Sequence, residues 1–185
     1  MKKYWKPLVT NFLLLLATLV WLKYSGRSYL GPDGGLQLWY GEANGPGTSQ
    51  HLLDPYSFTH FLHGVVFFWI ISFFGKNLEF AWQLTAAIAF ESCWEVIENS
   101  KIVIERYREA TMALGYFGDS IVNSFSDIAV CSIGFCVAAR LGLKKSLVLF
   151  AILEIFLLFW IKDNLTLNVI MLIYPLDFIK SWQTV

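Results

Sequence analysis

The chain has 185 residues, of which 56% are hydrophobic, 17% aromatic and only 15% charged. Soluble domains of this length are usually about 45–50% apolar, so the composition favours a protein in contact with membrane lipid and, at this length, a single integral membrane domain over 1–185. Acidic and basic residues number 14 each. This balance leaves no global basic field, which excludes binding of nucleic acid through overall charge.

The first apolar stretch, residues 7–22, follows a basic segment and has no small-residue cleavage site after it. We therefore expect a retained membrane anchor. Residues 24–54 are rich in Gly and contain Pro32 and Pro46, which is typical of a loop outside the membrane. Asp54 and Pro55 then predict the start of a helix over 55–74.

Four further apolar helices are predicted, at 79–98, 119–140, 146–161 and 165–179, the last with a kink at Pro175. Residues 99–112 are helical in propensity but charged, and we expect them to form an interfacial helix. The sequence thus predicts an all-α transmembrane bundle of about six spans. Eight basic residues at one set of helix ends against six at the other favour both termini in the cytoplasm.

This topology gathers polar residues at one membrane face, the predicted outer leaflet. They form stripes at helical spacing: His60 and His63; Glu91, Glu95 and Glu98; and Asp119, Asn123 and Asp127. A charged side chain in a span costs about 2.5–3.5 kcal/mol on insertion scales, so the stripes should face one another or a water-filled cavity. Asp163, Asn164 and Asn168 flank the same face.

Two imidazoles beside several carboxylates suit a divalent cation such as zinc, manganese or iron. The candidate ligands are His60, His63, Glu91 and Glu95. The candidate catalytic residues are Asp119, Asp127, Asn123 and Glu98. Asp119 or Asp127 would act as general base or complete the metal shell, and Asn123 would orient the substrate. These roles predict a metal-dependent hydrolase or transferase acting on a lipid or lipid-linked substrate.

Two other readings of the same residues remain open. Polar residues in a membrane helix can simply hold helices together, which predicts a non-catalytic assembly or partner subunit. The cluster could also bind a transported cation or proton, with Glu154 in the helix over 146–161 extending the path inward. The short chain has no inverted repeat, which weighs against transport.

Four segments together resemble an uncharacterised family of short bacterial inner-membrane proteins, a UPF-type group with a domain of unknown function. They are THFLHG at 59–64, ESCWEVIENS at 91–100, GYFGDSIVNSFSDI at 115–128 and KDNLTLNVIMLIYPLD at 162–177. The resemblance covers most of the chain from about residue 50 onward. It implies a multi-pass protein of the bacterial inner membrane and carries no activity.

Overall fold

The computed structural model describes residues 4–113 and 115–184, and seven helices lie within these ranges. They are α1 (Trp5–Tyr24), α2 (Ser57–Phe74), α3 (Phe80–Glu98), α4 (Lys101–Ala110), α5 (Ile121–Ile161), α6 (Leu165–Ile173) and α7 (Asp177–Thr184). The only β-type pairing among these residues is an isolated bridge between Trp39 and Leu53. The predicted all-α class is confirmed.

The helix α5 is a hairpin whose two arms meet at Gly142. Gly142 has φ 74° and ψ 171°, a backbone conformation that glycine adopts far more readily than other residues. Beyond it the chain runs back along α2, because Trp69 near the end of α2 donates to Ser146 Oγ at 2.9 Å and Phe58 near its start contacts Trp160. The two helices predicted over 119–140 and 146–161 are these two arms.

Two glycines bring α2 and the first arm of α5 into backbone contact. A Cβ added to Gly64 would lie 2.0 Å from the carbonyl oxygen of Cys131, and one added to Gly134 would lie 2.0 Å from that of Phe61. Small residues of this kind allow membrane helices to pack closely. The approach fixes the position of α2, which carries both candidate histidine ligands.

The helix α3 runs antiparallel to α2 and packs against α2 and the first arm of α5. Ile71, Ala87 and Phe135 form the buried apolar contact among these three helices. The helix α1 packs mainly along α3. It leaves much of its apolar surface open, with Leu8 and Phe12 each 65% exposed.

One end of the bundle holds the end of α3, the start of α2 and both ends of α5; we name it the site end. The loop between α1 and α2 folds over it. Ser49 accepts a hydrogen bond from the Ser120 backbone N–H at 2.9 Å, and Ser28 accepts one from that of Ile121 at 2.9 Å. Ser120 also caps α5, its Oγ accepting from the Asn123 backbone N–H at 3.2 Å.

The helix predicted over 165–179 is in fact two short helices. Tyr174, before Pro175, has φ −139° and ψ 90°, which ends α6. A proline disfavours helical geometry in the residue before it and lacks the N–H needed to continue the ladder. The 9 residues of α6 cover roughly 13 Å at about 1.5 Å per residue, well short of a hydrocarbon core of about 30 Å.

The last described helix, α7, lies near the site end of the bundle. Gln183 in α7 donates to the carbonyl oxygen of Lys162, the residue that follows α5, at 3.1 Å. The start of α1 lies at the opposite end, since Arg27, just after α1, donates to the carbonyl oxygen of Phe117. The first and last described helices therefore begin and end at opposite ends of the bundle, which does not support the prediction that both termini are cytoplasmic.

Two of the described helices, α1 and α2, are long and apolar enough to cross a membrane. Six such helices were predicted from the sequence. Their mean hydropathy values are 1.5 and 1.6, and the most apolar 18-residue stretch of each contains at most two Asp, Glu, Lys or Arg residues.

Candidate functional site

Two histidines of α2 and one glutamate of α3 form a buried group that we name the histidine cluster (His60, His63 and Glu91). His60 Nδ1 lies 2.6 Å from Glu91 Oε1, and His63 Nδ1 lies 3.0 Å from Glu91 Oε2. The Glu91 side chain is fully buried. One ligand atom from each residue lies within 4.8 Å of the others, close enough for all three to bind one cation.

Glu95 and Glu98 continue this face of α3 toward the site end. Glu95 Oε1 lies 3.6 Å from His60 Nδ1, and His60, Glu95 and Glu98 also bring ligand atoms within 4.8 Å of one another. Neither carboxylate oxygen of Glu95 has a hydrogen-bond partner among the described residues, although the side chain is fully buried. A buried carboxylate in this state is costly, and a proton or a cation would relieve it.

Asp127 of α5 approaches the cluster from the other side of His60. Its Oδ2 lies 3.8 Å from His60 Nε2, and its Oδ1 accepts a hydrogen bond from Ser57 Oγ at 3.2 Å. The structure therefore brings all four candidate ligands and one candidate base together around His60. The sequence predicted this convergence from two features: the predicted topology brings the polar ends of the helices to one membrane face, and each stripe lies on one face of its helix.

Asp119 lies just before α5 in a separate hydrogen-bond network. Asn99 Nδ2 donates to Asp119 Oδ2 at 2.7 Å, and the Tyr116 hydroxyl donates to Asp119 Oδ1 at 2.9 Å. Burial raises the pKa of the Asp119 carboxyl, and these two hydrogen bonds oppose the rise. Sequence reasoning missed Asn99, although it lies four residues after Glu95 and so extends the α3 stripe by one turn.

Asn123 lies apart from the cluster. Its Nδ2 donates to the carbonyl oxygen of His51 at 2.9 Å, and the side chain is buried. Asn123 thus holds the long loop against α5, and its role in orienting a substrate stays a prediction. Nothing in the local sequence identifies His51 as its partner, because the two residues are 72 positions apart.

A cavity of about 750 Å³ opens beside the histidine cluster. Its polar end is lined by His60, His63, Glu98, Tyr107 and Asp119. The rest of the wall is largely apolar and includes Phe67, Ile70, Phe90, Trp94, Ile97, Val169 and Leu172. Several of these apolar side chains also face the outside of the bundle, so the cavity connects buried polar groups with the apolar surface.

The helix α6, which forms one wall of this cavity, is held at both ends by side chains from other helices. The two carboxylate oxygens of Glu154 accept from the backbone N–H groups of Leu165 and Thr166 at 2.9 and 3.0 Å. Arg106 donates to the carbonyl oxygens of Leu172 and Ile173 at 2.8 and 3.1 Å. Glu154 therefore acts as a helix cap, a partner that the sequence did not reveal.

Comparison with known proteins supports the resemblance found in the sequence. The family model described as "Protein of unknown function (DUF2585)" matches residues 22–185. A UPF0314 protein of Paracoccus denitrificans is 40% identical over 96% of this chain and 92% of its own length. A UPF0314 protein of Agrobacterium fabrum is 45% identical over 92% of this chain and 86% of its own. No solved structure matches. The chain therefore belongs to the uncharacterised bacterial family of DUF2585 and UPF0314 proteins.

Proposed function

We propose that this protein is a multi-pass bacterial inner-membrane enzyme, a metal-dependent hydrolase or transferase that acts on a lipid or lipid-linked substrate. The observation that carries the proposal is the convergence of His60, His63 and Glu91 on one point beside an apolar-walled cavity. Neither feature alone identifies an enzyme. Together they support a metal site beside a space that suits a lipid chain.

The exposed surface supports the membrane location. Phe74 is 80% exposed and Phe159 83%, and most large side chains of α1 face outward. Soluble monomers rarely expose apolar surface of this extent, whereas a bilayer solvates it. The two arms of α5 and α3 would then cross the membrane together with α1 and α2, which makes five spans.

The ligand set supports a transition metal or zinc. Imidazole nitrogen and carboxylate oxygen are the ligands that zinc, manganese and iron take in proteins, and the site offers two of the former. Glu95, with both oxygens lacking hydrogen-bond partners among the described residues, is the fourth ligand in this proposal. Two histidines and two carboxylates would leave two positions for water or substrate on six-coordinate manganese or iron, and one position on five-coordinate zinc.

Zinc or a similar cation bound here would lower the pKa of a coordinated water toward about 7 and so supply hydroxide at neutral pH. The protein residues would position and exchange protons around it. Asp127, held by Ser57 at 3.2 Å, orients His60 from the side opposite Glu91. Glu98 and Asp119 line the cavity and are the groups placed to accept a proton from the reacting water.

Metal analysis of the purified protein tests the proposal. We expect close to one divalent cation per chain in detergent-purified wild type, and at least about a tenfold weaker affinity in Glu91→Gln and His63→Ala. Glu105→Gln, on the exposed face of α4, is the matched control and should retain the metal. Wild type that holds no metal, and that added zinc, manganese or iron(II) does not stabilise, would contradict the proposal.

A non-catalytic role as an assembly or partner subunit is the second candidate. It is favoured by the hydrogen bonds that Glu91 already makes to both histidines, since such a network can hold α2 to α3 without a metal. In that case the wild type would contain no metal, and His63→Ala would still unfold at a lower temperature than the wild type. Transport is less well supported, because Glu154 caps α6.

A further inference from the structure

We propose that the cavity binds an amphiphile whose polar head donates hydrogen bonds and carries no negative charge, such as a hydroxyl-bearing or amine-bearing lipid. The inference rests on the proposed function and narrows its substrate class. According to this inference, the cavity binds lipids with neutral or cationic head groups more tightly than lipids with a phosphate head group. Charge, hydrogen-bond capacity and cavity shape each support it.

The carboxylates that line the cavity face no lysine or arginine in the described part of its wall, and its two histidines, His60 and His63, already pair with Glu91. Its acidic side chains are Glu98 and Asp119. The nearby Arg27 and Arg108 donate to the backbone carbonyls of Phe117 and Tyr116. A phosphate head would therefore find no lysine or arginine in the described wall to pair with. A divalent cation in the proposed site would be balanced by its two carboxylate ligands, Glu91 and Glu95, which leaves Glu98 and Asp119 to repel the phosphate.

The tyrosine and glutamine donors that line the cavity are in use. Three tyrosine hydroxyls line the cavity, and all three donate to carboxylates: Tyr56 to Asp163, Tyr107 to Glu98 and Tyr116 to Asp119. The Gln50 side chain donates through Nε2 to the carbonyl oxygen of Gly118 at 2.9 Å. A head group that could only accept hydrogen bonds would find few donors here.

Acceptors, in contrast, remain available. Gln50 Oε1 and Glu98 Oε2 are buried, and neither has a hydrogen-bond partner among the described residues. Both residues line the cavity, and Gln50 is only 2% exposed. Buried acceptors of this kind are costly when unpaired, so a bound hydroxyl or ammonium group would satisfy them.

The apolar wall accounts for the rest of the ligand. Ile97 of α3 and Val169 of α6 line the cavity and are 51% and 45% exposed on the surface of the bundle. A chain attached to the head can therefore pass between α3 and α6 into the bilayer. The cavity volume of about 750 Å³ is sufficient for a head group and part of an acyl chain.

Native mass spectrometry of the detergent-solubilised protein tests the inference with two lipids that share their acyl chains. Dioleoylglycerol has a neutral hydroxyl head, and dioleoylphosphatidate carries a phosphate at the same position. We expect dioleoylglycerol to bind at least about tenfold more tightly, about 1.4 kcal/mol. Equal or tighter binding of the phosphatidate, or no binding of either lipid, would overturn the inference.

Two further measurements test whether the preference for dioleoylglycerol arises in this cavity. Glu98→Gln removes a charge and turns part of an acceptor into a donor, so it should reduce the preference, whereas Glu105→Gln on α4 should not. In wild type, Cys93 lines the cavity and is exposed, while Cys131 is fully buried. Dioleoylglycerol should slow alkylation of Cys93 more than phosphatidate does; protection by phosphatidate alone would count against the inference.

Metal content measured on the same samples separates the two proposals. If the metal is present and phosphatidate binds more tightly, the substrate class is wrong and the metal site stands. If dioleoylglycerol is preferred and no metal is found, the proposed chemistry fails although the cavity takes the ligand inferred here.

Discussion

Single residues decide how closely α2 approaches α5, and through it where the histidines lie. Gly64 and Gly134 each leave room for a facing carbonyl oxygen. The sequence shows both glycines but not their roles, because each faces the backbone of a residue on another helix, at least 67 positions away in the chain. That His60 and His63 share one face of α2, and Glu91 and Glu95 one face of α3, was predictable from helical periodicity, whereas the distance between the two faces depends on helix packing.

Gly134→Ala should destabilise the protein by about 1–3 kcal/mol, because the added methyl group would meet the Phe61 carbonyl oxygen at 2.0 Å and push the helices apart. Thermal unfolding in detergent measures the effect. Gly115→Ala is the control, since a Cβ there meets nothing within 4 Å. Equal unfolding temperatures for both variants would contradict the packing described.

Asp163 should make stability depend on pH. Burial, aided by the charge of Glu154, raises the pKa of its carboxyl to about 7, while hydrogen bonds from Asn164 and Tyr56 oppose the rise. In the unfolded chain the value is about 3.9, so between about pH 4 and 7 the folded protein binds more protons. The free energy of unfolding should therefore fall as the pH rises through this window.

Unfolding temperatures of wild type and Asp163→Asn between about pH 4.5 and 8 test this. The variant cannot take up the proton, so its profile should be flatter over that range. Parallel profiles for the two proteins would show that another group is responsible.

At the scale of the helices, most boundaries were predictable and one was not. Helix α3 begins within one residue of its predicted start and ends at Glu98 as expected, because apolar periodicity and flanking polar residues mark both ends. The stretch after Asn164 reads as one apolar helix, and Pro175 was expected only to kink it. The break occurs at Tyr174, before Pro175, and Arg106 stabilises it by donating to the carbonyl oxygens of Leu172 and Ile173, a contact that the sequence does not reveal.

Glu154→Ala should loosen the start of α6. The substitution leaves the backbone N–H groups of Leu165 and Thr166 without their acceptors, which costs about 1–3 kcal/mol locally. Hydrogen exchange at these two amides should accelerate relative to wild type and to Glu105→Gln. If proton or cation flux into vesicles is lost while amide exchange stays unchanged, Glu154 belongs to a transport path and the capping role is wrong.

At the scale of the whole molecule, the position and length of the last helices change the predicted orientation and the number of spans. Moving Lys180 to the site end leaves seven basic residues on each side, so the charge bias no longer favours an orientation. The six-span count rested on a last helix that the structure divides in two. Neither correction moves the predicted polar stripes, because all of them lie before residue 128.

Fusions of a reporter active on one side of the membrane should place the two termini on opposite sides. An alkaline phosphatase fusion and a green fluorescent protein fusion at each end would give opposite signals at residues 1 and 185. A fusion at the Gly142 turn should agree with the N-terminus, since both lie away from the site end. Identical signals from the two termini would restore an even number of spans.

The position of α2 between the arms of α5 also has a consequence for synthesis. Ser146, which receives the hydrogen bond of Trp69, leaves the ribosome 77 residues later. At a synthesis rate of about 5–20 residues per second, about 4–15 s pass between the synthesis of Trp69 in α2 and that of Ser146. The interval between the synthesis of His60 and that of Asp127 is almost as long. During that interval His60 of α2 lacks its partner on α5, and the translocation machinery must shield it from lipid.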